Sequence, residues 1–230
     1  MGRQGFGGML TDDQWARFVK AGRDRVFAEG TPVIRQGDRD GSVFLLLEGT
    51  VKVTMVREDG TGLLLALRGP GESLGEFSAL SGLPRSATVM PSSGRCRTRV
   101  LTSEQFRLLV KSMRLEQALW EHVVQRQTES ESLRAEMAAL PAGQRLAATL
   151  LRLAQLVGSD VEHVASTRRS VVVRLGLSQR ELGDSIGLSR AAVANEFRQL
   201  RRLDVVRTGR EYVVIRNVAR LKAVAEGVGP

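Results

Sequence analysis

The sequence predicts an α+β chain: an amino-terminal antiparallel roll, a long helix that pairs two subunits, and a carboxy-terminal winged helix-turn-helix. Three observations lead there. Short β-type runs separated by Gly and Asp fill residues 31–100, an apolar seam in steps of four and three runs from Leu119 to Leu140, and two capped helices meet at Gly187 ahead of two further β runs.

A chain of 230 residues with 42% hydrophobic and 26% charged side chains has the composition of a globular protein, which excludes global disorder. Its longest apolar runs, Val43 to Leu47 and Leu63 to Leu67, are about five residues against the ~20 a bilayer-spanning helix needs. The amino terminus, Met1 to Gly8, has no apolar signal core and reads as a frayed, cytosolic start, so a cytoplasmic protein with no membrane partner is expected. One cysteine, Cys96, cannot make an intramolecular disulfide, an iron-sulfur site or a Cys-rich zinc site, and only His122 and His163 accompany it. No metal is expected, and Cys96 reads as a small residue packed in or near a strand, with a redox-sensing thiol as the other reading.

The net charge of +9 is unevenly placed. Residues 1–140 hold 19 basic and 17 acidic side chains, whereas residues 141–230 hold 15 and 8. A positive excess confined to one end is what a domain facing a polyanion shows. The near absence of Lys suits phosphate and guanine contacts but follows equally from a general Arg bias, so only the location of the charge is used.

The β-type runs are Val33 to Arg35, Val43 to Leu47, Val51 to Val56 and Leu63 to Leu67. Turn residues punctuate them at Gly37-Asp38, Gly41, Gly49, Asp59-Gly60 and Gly69-Pro70-Gly71, the pattern of an antiparallel barrel or roll. From Thr102 a single helical stretch is expected to run through Phe106, Leu109, Met113, Leu119, Val123, Leu133 and Met137 until Pro141. Positions 119, 123, 126, 130, 133, 137 and 140 form a heptad seam that predicts pairing with a second copy. Arg126 and Ser130 are polar within it; they either set register or face a buried ligand.

In the last third, Ser178 and Glu181 form a capping box, Gly187 permits a left-handed turn, and Ser189 caps a second helix. Leu182, Ile186, Val193, Phe197 and Leu200 supply the buried face of two crossing helices. A plain helical hairpin would share that apolar spacing. The exposed basic face through Arg190, Asn195, Arg198, Arg201 and Arg202 points instead to DNA. The β runs from Val205 to Ile215 read as a wing, with Arg207 and Arg210 near its tip, either on phosphates or merely solvated. Docked in a major groove, Arg190 could read guanine and Asn195 could reach adenine or a phosphate. The contact candidates are Ser178, Gln179, Ser189, Arg190, Ala191, Asn195, Arg198, Arg207 and Arg210.

In the roll, the stretch Gly75-Glu76-Phe77 to Pro84-Arg85-Ser86 has chemistry suited to a phosphate and a ribose held together. Backbone N–H groups of a turn and the forked donors of Arg85 face an anion, Ser86 adds a hydroxyl, and Glu76 can accept from a 2'-hydroxyl. A surface ion pair between Glu76 and Arg85 would explain both charges equally well.

The order of these pieces resembles the cyclic-AMP receptor protein and FNR (Crp-Fnr) family of bacterial transcription regulators over nearly the whole chain. The matching residues are Gly37-Asp38, Glu48-Gly49, Asp59-Gly60, Gly69-Pro70-Gly71-Glu72, Gly75-Glu76 and Pro84 to Val89, then the long helix and the winged helix. The resemblance implies a cyclic-nucleotide-binding β-roll over 1–111, a dimerisation helix and hinge over 112–140, and a DNA-binding domain over 141–230. It further implies a homodimer on pseudo-palindromic double-stranded DNA, with RNA polymerase as a partner. It assigns Gly75, Glu76, Phe77, Arg85 and Ser86 to the phosphate and ribose, and Ser130 and Glu131 to the base.

Two residues depart from the family's pattern. Glu131 replaces a hydroxyl: its carboxylate could accept from the adenine amino group, from guanine N1–H and N2–H, or stay solvated. Cyclic AMP is the favoured effector, cyclic GMP or loss of nucleotide response the alternatives. Ala191 replaces a Glu able to accept from cytosine, which predicts a different operator. The iron-sulfur branch is excluded by the cysteine count, and a haem branch is unsupported because neither His lies among the strands. Neither a phosphate loop with its Gly-Lys pair nor a Ser/His/Asp set is present, so no enzymatic activity is expected.

Overall fold

The structure is a computed structural model that describes residues 2–56, 58, 62–161, 170–174, 176–209 and 212–228. It divides into two compact units, residues 1–130 and 131–230, with the boundary inside one long helix.

The first unit opens with two short helices, α1 (Gly5–Gly8) and α2 (Asp12–Ala21). A charged strand β1 (Arg23–Phe27) precedes β2 (Val43–Glu48), β3 (Val51–Val56), β4 (Gly62–Arg68) and β5 (Ser73–Leu74). Helix α3 (Glu76–Ser81), strands β6 (Thr88–Pro91) and β7 (Cys96–Leu101), and helices α4 (Ser103–Ser112) and α5 (Glu116–Ala139) follow. Two antiparallel sheets, ordered β1-β7-β2-β5 and β4-β3-β6, form the roll.

Strand β2 shows why the roll folds this way. Successive side chains of a strand point to opposite faces. Phe44 and Leu46 enter the roll interior with Phe27, Ile34, Val51, Leu74, Val89 and Cys96, whereas Val43 and Leu45 meet Phe18, Leu101, Phe106 and Leu119 under the helices. A strand covered on both faces must be apolar throughout, as Val-Phe-Leu-Leu-Leu is. Cys96 is fully buried there, and burial pushes its thiol up to about 11.

Three local expectations differ from the structure. The run at Val33 is no strand; Ile34 makes an isolated bridge to Val89. Strand β1 lies outside the expected β region because its first three residues are Arg, Asp and Arg, which suit an edge position exposed to solvent. The expected single helix is two: α4 ends at Ser112, Arg114 takes a left-handed backbone (φ 55°), and Leu115 turns into the core before α5 begins.

The amino terminus is not frayed. Phe6 is fully buried, its ring 5.7 Å from Phe18 and 5.9 Å from Phe106, and Arg3 donates to Gly7 O, Leu10 O and Asp12. An aromatic core position outweighs the flexibility of a Gly-rich segment.

The second unit takes the end of α5 and adds α6 (Ala142–Val157), β8 (Gly158–Val161), β9 (Ser170–Arg174), α7 (Gln179–Ser185), α8 (Arg190–Arg202), β10 (Val206–Thr208), β11 (Tyr212–Ile215) and α9 (Val218–Ala225). Its antiparallel sheet runs β10-β11-β9-β8. Leu146, Leu150, Val173, Leu182, Val193, Phe197, Ile215 and Leu221 are buried in it. The whole is a mixed α and β architecture, with the winged helix-turn-helix in this second unit.

Truncating a fully buried Phe typically removes about 3–5 kcal/mol of stability. Phe6→Ala is therefore expected to lower the urea unfolding free energy of the first unit by that order; a loss under about 1 kcal/mol would mean that the terminal segment contributes little.

Candidate functional site

Strand β5 hands the chain to α3 through Gly75, whose left-handed backbone (φ 86°) excludes most side chains. A Cβ there would also collide with Arg85 Nη1, so close approach demands glycine independently. The Arg85 guanidinium, only 4% exposed, donates from Nη1 to Gly75 O at 2.8 Å and from Nη2 to Ser42 O at 2.6 Å. Asp40 Oδ2 lies 3.4 Å from the same Nη2. Burial acts to raise the Asp40 carboxyl, but hydrogen bonds from Ser42 and the Arg85 charge hold it below its ordinary value.

Glu76, 3% exposed, does not pair with Arg85. Its Oε1 faces His122 Nε2 at 3.5 Å and Arg126 Nη2 at 3.9 Å, both from α5. Burial opposes its charge, yet His122, Arg126 and its own backbone N–H together keep the carboxyl below 4.5. One nitrogen of His122 meets two demands: Arg126 Nε, 3.4 Å away, needs an acceptor, while Glu76 needs a donor. An unprotonated Nε2 serves the first and an Nε2–H the second.

These contacts belong to a longer chain of charges. Arg126 Nη2 donates to Glu72 Oε2 at 2.8 Å and to Ser73 O at 3.2 Å. Arg68 Nε lies 3.8 Å from Glu72 Oε1, and Arg68 Nη1 and Nη2 fork onto Glu129 Oε1 and Oε2 at 2.9 and 2.7 Å. Burial works against the Arg68 charge, but Glu129, Glu72 and Glu76 outweigh it and raise its pKa. Alternation of sign from Glu129 through Arg68, Glu72 and Arg126 to Glu76 gives each buried cation two carboxylates.

A cleft of about 100 Å³, open to solvent, is lined by Gly75, Glu76, Phe77, Arg85 and Ser86 together with Ile34, Val53, Val89 and Arg126. The structure thus brings five of the expected ligand residues together. Phe77 is 41% exposed and Ser86 is exposed at the rim. Ser130 is half-buried and Glu131 exposed on α5, and neither is among the described lining residues. Of the two polar seam residues, Arg126 reaches the cleft. The sequence reading missed Asp40, Arg68, Glu72 and His122; the spacing of His122 four residues before Arg126, on one helix face, was the available signal.

In the second unit, Ser178 Oγ accepts from Glu181 N while Glu181 Oε2 accepts from Ser178 N, a complete capping box opening α7. The turn holds Gly187 at φ 65°, and Leu188 N donates to Gly183 O at 2.9 Å. Gly183 is a further requirement that the sequence reading missed: a Cβ on it would strike Leu188 O, so the two helices could not close. Arg145 Nη1 also pins the turn, donating to Ile186 O at 2.8 Å.

Ser189 caps α8 through Ala192 N at 3.1 Å. Val193, Phe197 and Leu200 fix the helix to the core, which leaves Arg190, Ala191, Asn195, Arg198, Arg201 and Arg202 exposed. Ser178, Gln179 and Arg207 are exposed as well, while Arg210, His163 and the expected turn at Asp59-Gly60 lie outside the described residues. Asn195 Oδ1 accepts from Arg198 Nη1 at 3.2 Å, and Arg201 Nη1 donates to Thr208 Oγ1 at 2.9 Å, tying α8 to β10. Helices α2, α4 and α7 each carry acid in the first turn; α8, like α6 and α9, carries none, and it begins with Arg190. A cation at a helix amino terminus opposes the helix dipole. Such a local penalty on an exposed basic face is intelligible where an anion is to be met.

Among the described residues no cluster of His, Cys, Asp or Glu could hold a metal ion, and no helix is long and apolar enough to cross a membrane.

Comparison with known proteins gives a family for each part of the chain. The cyclic nucleotide-binding domain family matches residues 24–113, and the Crp-like helix-turn-helix domain family matches residues 144–224. The chain is 26% identical over 205 residues to the cyclic AMP receptor protein of Thermus thermophilus, spanning 89% of this chain and 88% of that protein. A CRP/FNR-family transcriptional regulator, also of Thermus thermophilus, superposes with a TM-score of 0.73 at 24% identity, over 90% of this chain and 100% of that one. The c-di-GMP-responsive global regulator CLP of Xanthomonas campestris gives 0.71 at 20% identity, over 89% and 99%. These two likenesses show the fold; the two family matches, in this order and flanking one long helix, show more. The chain belongs to the Crp-Fnr family of DNA-binding transcription regulators and carries that family's cyclic nucleotide-binding domain.

Proposed function

We propose that the chain works as a cytoplasmic homodimer whose affinity for a pseudo-palindromic operator is set by a cyclic nucleotide in the roll, cyclic AMP being favoured and cyclic GMP the other candidate. The observation that carries this reading is the cleft itself: Glu76 and Arg85 line one opening, and Arg126 reaches into it from α5. A ligand seated there touches the long helix and the roll at once. In this reading residues 1–111 sense, 112–140 pair the subunits and form the hinge, and 141–230 bind DNA.

Arg85 and Ser86 hold the cyclic phosphate, the turn at Gly75 and Phe77 shapes its seat, and Glu76 accepts from the ribose 2'-hydroxyl. Ser130 and Glu131 read the base. Val123, Leu133 and Met137 form the seam with the second subunit, whereas Leu119, expected in that seam, is already buried in the core of the first unit. Nucleotide binding rotates or extends 133–141 and aligns two recognition helices about 34 Å apart, one helical turn of DNA. The coupling is limited to the differential affinity of the two states, typically about 1–3 kcal/mol. On DNA, Arg190 reads guanine, Asn195 contacts adenine or phosphate, and Ser178, Gln179, Ser189, Arg198, Arg207 and Arg210 position the backbone. Ala191 leaves its base pair without a carboxylate contact. RNA polymerase is the partner through which occupancy becomes transcription, and the chain itself acts by binding rather than by catalysis.

A constitutive DNA binder whose sensor unit only dimerises is the second reading, and one observation favours it. Both terminal nitrogens of Arg85 already have protein acceptors, and Glu76 already has His122 and Arg126.

Calorimetric titration of nucleotide-free protein with cyclic AMP and then cyclic GMP separates the two. Micromolar binding, about −8 kcal/mol, that disappears in Arg85→Ala is expected; no heat with either nucleotide makes the regulator constitutive. On DNA, Arg190→Ala should lose about 1–3 kcal/mol and relax specificity at one base pair per half-site, as read by binding to a panel of operators. A uniform loss would make Arg190 a phosphate contact. The pH dependence follows from Glu76. With its folded pKa below the ordinary 4.5, its contribution is complete above that value and is lost as pH falls through the folded pKa. Unfolding free energy should therefore drop more steeply below pH 4.5 in the natural protein than in Glu76→Gln, and equal slopes would contradict the assignment.

A further inference from the structure

We propose that Arg68, which lies outside the nucleotide cassette, is a positioning residue for the ligand site: it clamps α5 to the roll at Glu129, next to Ser130, and decides how Arg126 is shared between Glu72 and Glu76. The inference rests on the nucleotide reading above and deepens it by naming what holds the reading helix in place.

Arg68 is the last residue of β4, and its side chain is 12% exposed. Two parallel bonds of 2.9 and 2.7 Å to Glu129 fix both the distance and the rotation of that turn of α5, since a forked pair constrains orientation as well as separation. Glu129 immediately precedes Ser130, so the clamp holds the helix at the point where the base is read. The third guanidinium nitrogen, Nε, is buried without a hydrogen bond and faces Glu72 Oε1 at 3.8 Å. Glu72 Oε2 meanwhile takes Arg126 Nη2 at 2.8 Å, and the same nitrogen stands 3.9 Å from Glu76 Oε1. Arg126 is therefore divided between two carboxylates, and the share left to Glu76 depends on how far Arg68 neutralises Glu72. Without Arg68, Glu72 draws Arg126 away from Glu76, and the carboxylate assigned to the ribose keeps His122 as its α5 partner. Lysine cannot substitute, because a single ammonium cannot fork onto Glu129 and face Glu72 in a fixed plane.

The test is calorimetric titration of full-length, nucleotide-free protein with cyclic AMP and with cyclic GMP, for the natural sequence, Arg68→Lys, Arg68→Leu, Glu129→Gln and the double variant Arg68→Leu/Glu129→Gln. Thermal melting of each ligand-free protein and its ligand-free affinity for DNA are measured alongside. Arg68→Leu should weaken nucleotide binding by about tenfold or more, with ligand-free DNA affinity unchanged. Glu129→Gln should weaken it less, and the double variant no further than Arg68→Leu, because both act through one clamp. A shift of the cyclic AMP to cyclic GMP affinity ratio in Arg68→Lys is the readout that loss of stability alone would not move. Should Arg68→Leu fail to fold, the Lys and Gln variants carry the test. Folded variants that bind both nucleotides within about twofold of the natural protein, at the same ratio, overturn the positioning role. A natural protein that binds neither nucleotide overturns the nucleotide reading instead, and the positioning role falls with it.

Discussion

Carboxylates do not enter a protein wall unaccompanied, and Glu72 and Glu76 are both buried in the wall between the roll and α5. Taking each out of water costs several kcal/mol unless paired charges and hydrogen bonds replace the solvent. Here the replacement comes from Arg68 at the end of β4 and from His122 and Arg126 on α5, so the helix and the sheets are obliged to stay together. Apolar contacts through Leu115 and Leu119 anchor the start of α5, and beyond them the charges take over. A helix held by directional ion pairs has few neighbouring arrangements of similar energy. Two discrete states are easier to build from such contacts than from a greasy interface that slides, and the nucleotide control proposed above needs two discrete states.

How much of this was written in the sequence depends on how local the cause is. The β2 to β4 runs were legible because alternation and Gly-Asp turns act within a few residues. Capping at Ser178 and Ser189 was legible for the same reason. The division of α4 from α5 was not, because the chain turns at Arg114 with neither Gly nor Pro to mark it, and the decisive event is the burial of Leu115. Strand β1 escaped because an edge strand tolerates the charges that otherwise signal a loop. Burial of Phe6 depends on rings contributed by Phe18 and Phe106, which no local pattern announces.

The site divides along the same line. The cassette from Gly75 to Ser86 is contiguous and readable, whereas the partners that set its electrostatics come from far away. Arg68 meets Glu129 across 61 residues, and Glu72 meets Arg126 across 54. What the sequence did offer was an anomaly, an arginine in an apolar seam. Anomalies of this kind mark where a local rule gives way to a long-range requirement.

The first turn of α8 illustrates a second such departure, with a thermodynamic corollary. Its amino terminus carries Arg190 and no acid, so the free helix lacks the counter-charge that α2, α4 and α7 have in their first turns. Under the proposed function, the phosphates flanking the bases that α8 reads supply that counter-charge from outside. Anything that binds the folded state in preference to the unfolded one stabilises it by mass action. In that reading the operator favours the folded recognition helix, so the duplex it binds and the order of its first turn are coupled energetically.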